Sequence, residues 1–480
     1  MGRGRSAEGR NVAQAKTGFN DETGEWYSLD NAATIMPAVS DAANTSLFRM
    51  SADIDEAVNL PALQKALESC ARRFPYFCVE LRRGFFWYYF QPSDSPIRVE
   101  ADSLSPQQGF DPNRRGRPLF RVRARTNRIA VEFSHIIADG TGCMRFLKTL
   151  LVEYFRLRGT EAEGSDSEVY DLCTSPEADE FEDAYHRHFS ENYPAPDPLP
   201  PAYHLRGRPL HKGEYRVIRG DLGLAEALAV AKNYGVTLTE LVVAVYLDAL
   251  QNIWLASDAK ARRRRPLLAI EVPVNMRKFY QTKSNRNFSL FFMVYQDMRL
   301  GRRDFKNIVE RTRYQFRLEN EAPTIARQIS RNVGGSRHIL VRLVPLAIKD
   351  FFARLLFAAL GENLVSGFIS NLGAVGMPPG PATRVKRFDF IPAPSSVLGT
   401  NASMLSWRDR LYIDFGSRLE SRELERLFFA RLRGLGIPVR VECAFDEARL
   451  GHSGTVPRES LTGTVPREPL MGTVPREARR

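Results

Sequence analysis

The sequence predicts a mixed α/β protein built as two halves, and three observations carry that reading. On both sides of the proline-rich stretch YPAPDPLPP (Tyr193 to Pro201), helical apolar spacing is mixed with apolar alternation, and the prolines themselves suit a connection. In neither half do strands and helices alternate one for one, which argues against a Rossmann or barrel fold, and no GxGxxG, P-loop, GxSxG or HExxH motif is present. The ends differ in kind from the body. GTVPRE recurs three times, from Gly454, Gly463 and Gly472, in a segment too polar and too short to bury a core. The expected organisation is a disordered basic arm over 1–20, a first half over 21–200, a second half over 201–449 and a disordered tail over 450–480.

In the first half, Leu60, Leu63, Leu67, Cys70, Ala71 and Phe74 recur at helical spacing around Pro61, which suits a first turn. A hairpin is expected next, with strands Tyr76 to Leu81 and Phe85 to Phe90 turning at RRG. Its second strand, FFWYYF, reads as buried core, with a ligand wall as the competing reading. LFRVRAR and RIAVEFS alternate around Thr126-Asn127 as a second hairpin that ends in HIIADG. A helix follows from Thr141 to about Arg156, with Phe146, Leu147, Leu150, Leu151 and Tyr154 on its apolar side.

In the second half, EYRVIRG and PLLAIEVPVN read as strands separated by helices over Leu222 to Tyr234 and Thr237 to Trp254. FSLFFMVY is a further strand, followed by long helices between Arg303 and Leu360. Strands are expected near VSGFISN, ATRVKRFDF, PSSVLGTNASMLSW and RLYIDFG, with a last helix from Glu420 to Arg433.

Composition narrows the function classes. Of 480 residues, 43% are hydrophobic and 26% charged, enough for a sizeable core. Lys and Arg exceed Asp and Glu by 68 to 56, but part of the excess sits in the ends, where Arg3, Arg5, Arg10 and Lys16 face Glu8, and no basic-aromatic domain points to nucleic acid. The five cysteines form no C-x-x-C pair, which fits a reducing compartment, so the cytoplasm is expected. The longest apolar stretch noted, Leu343 to Leu360, is broken by Lys349, Asp350 and Arg354 and reads as an amphipathic helix, so no transmembrane segment is expected. His186 and His188 form H-x-H without a nearby cysteine or an acidic ligand order, and no metal is expected; the run Arg262 to Arg265 reads as a solvated loop before a strand.

His135 and Asp139 stand four apart at a strand-to-helix junction, with Gly140 and Gly142 letting the backbone turn behind them. The segment HIIADGTG resembles the HxxxDG signature of the chloramphenicol-acetyltransferase-like superfamily, which includes condensation domains, plant BAHD acyltransferases and alcohol acetyltransferases. WYSLDNAATIMPA (Trp26 to Ala38), RFPYF, FFWYYF, PVNMRKFY with SNRNFS (Pro273 to Ser289), ISNLG (Ile369 to Gly373) and DFG (Asp414 to Gly416) resemble its bacterial alcohol-acetyltransferase-like branch, over about residues 24 to 440. Two departures stand out. Ser134 replaces the first His of the condensation-domain pair, and DFG lacks the WG that follows it in the plant enzymes.

The resemblance implies two chloramphenicol-acetyltransferase-like halves with an active-site channel between them. It also implies an acyltransferase that moves an acyl group from coenzyme A to a hydroxyl acceptor, with acyl-coenzyme A as co-substrate and no permanently bound cofactor. The competing implications are a stand-alone condensation-type enzyme using carrier-protein thioesters, and a non-catalytic scaffold on the same fold. A thioester is already activated, so one neutral histidine suffices to take the acceptor proton and return it to the leaving thiolate. His135 is the expected general base. Asp139 is expected to act architecturally, and the resemblance implies Arg277 of PVNMR as its ion-pair partner across the two halves. Gly140, Asn287, Ser370 and Asn371 are the expected channel residues, Ser370 and Asn371 also as oxyanion donors, with a structural role competing at Asn287 and ordinary strand-ending turn chemistry at Ser370 and Asn371. Aromatic residues of FFWYYF and FSLFFMVY are expected to wall the channel around an apolar acceptor or acyl chain.

Overall fold

A computed structural model describes residues 26–40, 45–103, 110–164, 166–190, 193, 200–211, 213–337, 343–360, 362–395 and 397–444. The expected arm over 1–20, the tail over 450–480 and most of the proline-rich connection lie outside the described residues. In chain order the strands are β1 (Tyr27–Ser28), β2 (Leu47–Ile54), β3 (Val79–Arg83), β4 (Tyr88–Pro92), β5 (Val99–Ala101), β6 (Phe120–Arg125), β7 (Arg128–Ser134), β8 (Arg216–Gly223), β9 (Leu267–Asn275), β10 (Ser289–Asp297), β11 (Gly367–Ala374), β12 (Val385–Ile391), β13 (Thr400–Trp407), β14 (Arg410–Ser417) and β15 (Val439–Ala444). The longer helices are α1 (Leu60–Arg73), α2 (Gly140–Leu157), α3 (Leu224–Tyr234), α4 (Leu238–Ala256), α5 (Phe305–Glu319), α6 (Ala322–Arg337), α7 (Leu346–Leu360) and α8 (Glu423–Gly434).

Local chemistry starts these helices where the sequence signals them. Asn59 caps α1 by accepting from Ala62 N with Pro61 in the first turn, and Thr237 with Glu240 forms a capping box on α4. Strand alternation then sorts the first half. Phe48, Met50, Ala52 and Ile54 of β2 join Leu63, Leu67, Phe146 and Leu150 of α1 and α2 in one core, while Arg49, Ser51 and Asp53 point to the opposite face. The sheet runs β12-β2-β7-β6-β5, and a small sheet β1-β4-β3 lies beside it.

The second half is a seven-stranded sheet in the order β10-β9-β11-β13-β14-β8-β15, covered by α4 and its neighbours. Helix α4 is apolar nearly all round because it is core: Leu241, Val243, Val245, Leu247 and Leu250 are buried. It is long and apolar enough to cross a membrane, unlike the stretch singled out from sequence, but 72% of its most apolar window is buried in the protein.

One strand ties the halves together. β12, from the second half of the sequence, leaves the second sheet and pairs antiparallel with β2, from Val385↔Ile54 to Ile391↔Arg49. Asp414 of the DFG motif, on β14, holds it there by accepting from Phe390 N at 3.1 Å. Gly416 has to be glycine, since a Cβ would stand 1.9 Å from the Tyr215 hydroxyl.

Several expected boundaries move. β2 and β15 were not signalled, and Pro379–Arg384 is a helical turn rather than the start of a strand. Pro75–Phe77 forms a 3-10 turn, and the hairpin reverses over Gly84 to Trp87, with Gly84 N donating to Trp87 O. FFWYYF is therefore not a continuous buried strand. Phe90 is buried, but Phe85 and Trp87 stand at the exposed turn.

Candidate active site

β7 ends at Ser134 and α2 begins at Gly140, so His135 to Asp139 form the connection. Ile136, Ile137 and Ala138 are buried and pin it to the core. His135 N donates to Ser46 O at 2.9 Å, and the imidazole packs against Phe48 with ring centroids 4.3 Å apart. Burial pushes the His135 pKa down to about 4, outweighing the Asp139 charge and a hydrogen bond with Asn287 that act the other way. The ring is neutral at physiological pH, on a residue that is part-buried as a whole.

Asp139 is the N-cap of α2: its Oδ1 accepts from Thr141 N and Gly142 N, both at 3.1 Å. Its Oδ2 faces the second half, accepting from Arg277 Nη1 at 2.7 Å and Phe288 N at 3.0 Å. Burial by itself would raise the carboxyl pKa, but the Arg277 guanidinium and these donors hold it below the usual carboxylate range. Arg277 is satisfied in turn, with Nε donating to Ser284 O (2.9 Å) and Nη2 to Arg286 O (2.5 Å). Gly142 explains the second glycine of the motif, since a Cβ there would stand 2.1 Å from Asn285 O. Helix α2 and the 284–288 segment thus approach at backbone distance.

Asn287 is buried. Its Nδ2 donates to His135 O at 2.8 Å and to Asp30 Oδ2 at 3.0 Å, so it holds the His135 loop from the second half. Sequence reading missed its partner. Asp30 is fully buried, pushed up to about 6 by burial with Arg286 opposing, and Arg286 Nε lies 3.5 Å away. Arg286 also donates to Ser28 O at 2.6 Å and lies over Phe181. The usable signal was a lone Asp in LDNAAT within an apolar opening.

Two mixed sheets joined at an HxxxD loop by a strand exchanged between halves decide the architecture. The chain has the two-lobed condensation-domain and chloramphenicol-acetyltransferase-like fold. Solved structures agree. A Fusarium sporotrichioides protein, TRI101, complexed with coenzyme A and T-2, superposes with a TM-score of 0.59 at 10% identity, covering 88% of this chain and 100% of that one. TRI3 trichothecene 15-O-acetyltransferase from the same organism gives 0.54 at 12%, covering 85% and 94%. The starter condensation domain of rhizomide synthetase RzmA, in complex with C8-CoA and Leu-SNAC, gives 0.53 at 13%, also covering 85% and 94%. No protein-family model and no curated protein sequence matches the chain.

In this two-lobed fold the other expected residues separate. Gly140 starts α2, where a Cβ would meet Leu372 and Met50, so it lies at the contact between the lobes. Ser370 and Leu372 face the first lobe from β11, whereas Asn371, one residue out of phase, faces α4. Asn371 Nδ2 donates to Thr239 Oγ1 at 2.7 Å and its Oδ1 accepts from Gly373 N. These bonds tie Asn371 to α4 and to its own turn within the second half. The Arg262 to Arg265 run is not a free loop. Arg262 donates to Leu255 O and lies over Trp254, while Arg265 donates to Ala202 O and Asn363 Oδ1. Of the aromatics expected to wall a channel, Phe85, Trp87, Phe291 and Tyr295 are exposed. A polar cavity of about 180 Å³, lined by residues including Arg49, Asp53, Asp102, Arg128 and Arg219, lies on the face of β2 opposite Phe48, away from His135.

Proposed function

We propose that the chain is an acyl-coenzyme A-dependent O-acyltransferase of the alcohol-acetyltransferase type, with His135 as general base. The observation that carries this reading is a neutral imidazole on a loop held by Ser46 O of the first half and, from the second, by Arg277 on Asp139 and by Asn287. The neutral ring takes the acceptor hydroxyl proton as oxygen attacks the thioester carbonyl, and gives it to the departing coenzyme A thiolate as the C–S bond breaks. Asp139 and Arg277 keep the loop in place, and Ser370, facing the first lobe, is the proposed donor to the oxyanion. TRI101 complexed with coenzyme A, and TRI3, named an O-acetyltransferase, support free coenzyme A as donor. Ser134 supports it as well. It is buried, its Oγ accepting from Ile136 N, where condensation domains carry a second His.

The test is thiol release by the purified protein with acetyl-, hexanoyl- and palmitoyl-coenzyme A against a panel of alcohols and amines. Alcohol-dependent release that drops roughly a hundredfold or more in His135→Ala supports the proposal. Transfer only from carrier-loaded thioesters would reassign the chain to the condensation reaction, and inactivity with both donors would leave a scaffold.

A further inference from the structure

Helix α7 is held to the body by polar contacts along one side, where Asp350 is buried. Leu346 N donates to Phe85 O at 2.8 Å and Lys349 Nζ to Phe86 O at 2.9 Å. Asp350 Oδ2 accepts from Arg83 Nη2 at 3.0 Å and from the Tyr88 hydroxyl at 2.9 Å, and Arg354 Nε donates to Ala38 O at 2.7 Å. The opposite side carries Ile348, Phe351, Phe352, Leu355 and Leu356, each between 47% and 62% exposed. A surface helix of a water-soluble body normally shows the reverse arrangement, because each Å² of apolar surface left in water forfeits about 25 cal/mol. The hairpin that anchors α7 extends the apolar face with Phe85 and Trp87, 71% and 52% exposed, and Trp26 stands 6.1 Å from Tyr89 of the same hairpin.

From this we infer that α7 and the β3–β4 tip form a docking face for an anionic lipid bilayer. The helix is about 22 Å long at 1.5 Å per residue, and an aromatic and aliphatic face of that length matches a helix lying in the plane of a membrane interface. The charge supplies the choice of occupant. Arg83 is paired with Asp350 and Arg82 with Glu80, so the exposed Arg354, bonded to Ala38 O, adds positive charge at the rim. A second copy of the chain would bring this cation against its own counterpart, while acidic headgroups complement it and let the arginine stem lie along the apolar surface. The face includes none of the residues given roles in the proposed reaction, so the inference stands or falls without it.

The experiment uses the full chain with vesicles of phosphatidylcholine containing phosphatidylserine, against pure phosphatidylcholine, read by co-sedimentation and by quenching with brominated lipid. Of the four tryptophans, Trp254 and Trp407 are buried, so quenching reports Trp26 and Trp87. Binding should require phosphatidylserine and fall with added salt. It should drop roughly tenfold or more in Phe351→Glu/Leu355→Glu. Both positions are exposed, and an unchanged melting temperature will show that the variant folds. Absence of vesicle binding, or equal binding by the double variant, would overturn the inference. So would a lipid-free dimer that the variant dissolves, which would assign the face to a second copy.

Discussion

At the scale of single residues, the site rests on a histidine kept neutral and an aspartate kept charged four positions apart. The depressed pKa of His135 has two consequences with the same sign. The profile of kcat/KM should stay flat from neutral pH to below 6 and fall only as pH nears about 4, rather than breaking at the ordinary histidine value of about 6.5. Between those two values the unfolded chain binds a proton that the folded chain refuses, so stability declines as pH falls through this window. The decline should be shallower in His135→Gln, measured by melting temperature against pH. Asp139 works in the same direction at lower pH, because its depressed carboxyl contributes stability that is lost once acid protonates it. Asp139→Asn should destabilise by about 3–5 kcal/mol in denaturant unfolding, since it leaves the Arg277 charge buried without its partner. A variant that melts like the parent would remove the architectural role.

Among the elements, the informative contact is that of α2 with the 284–288 segment. Gly142→Ala pushes a methyl group into Asn285 O, which belongs to backbone and cannot swing away, so a loss of about 1–3 kcal/mol is expected together with reduced turnover. Gly159→Ala in the same variant series is a different case. It has no atom within 4 Å, so any cost there comes from its left-handed φ alone. Element identity was legible wherever local chemistry dominates. The Thr126-Asn127 hairpin, the apolar stripe of α2 and the Thr237 to Glu240 capping box all lie where their residues point. The signal weakened where packing decides. LFRMSADI does alternate, but its polar face misleads: Arg49 and Ser51 are buried, Arg49 on Asp102 and Glu132, so β2 is covered on both faces and its polar residues do not mark a solvent side.

For the whole molecule, the arm and tail are proposed as dispensable. Limited proteolysis should trim residues before about Asn20 and after about Arg449 while the remaining body melts unchanged, and cooperative loss of the fold on trimming would refute this. The sequence by itself determined the fold class, the HIIADGTG loop and the candidate base, because spacing, caps and glycines are written in neighbouring residues. It also pointed, through resemblance, to Arg277, which the structure places 2.7 Å from Asp139. The tertiary structure alone decided which strand completes which sheet, and β12 joining β2 reverses what chain order suggests. It likewise decided that Ser370 faces the first lobe while Asn371 turns away, that Asp30 stands behind Asn287, and that α7 shows its apolar side to solvent. The physical reason is the same in each case. A side chain's direction along a strand or helix is set by local periodicity, but what it meets there depends on a register between segments hundreds of residues apart.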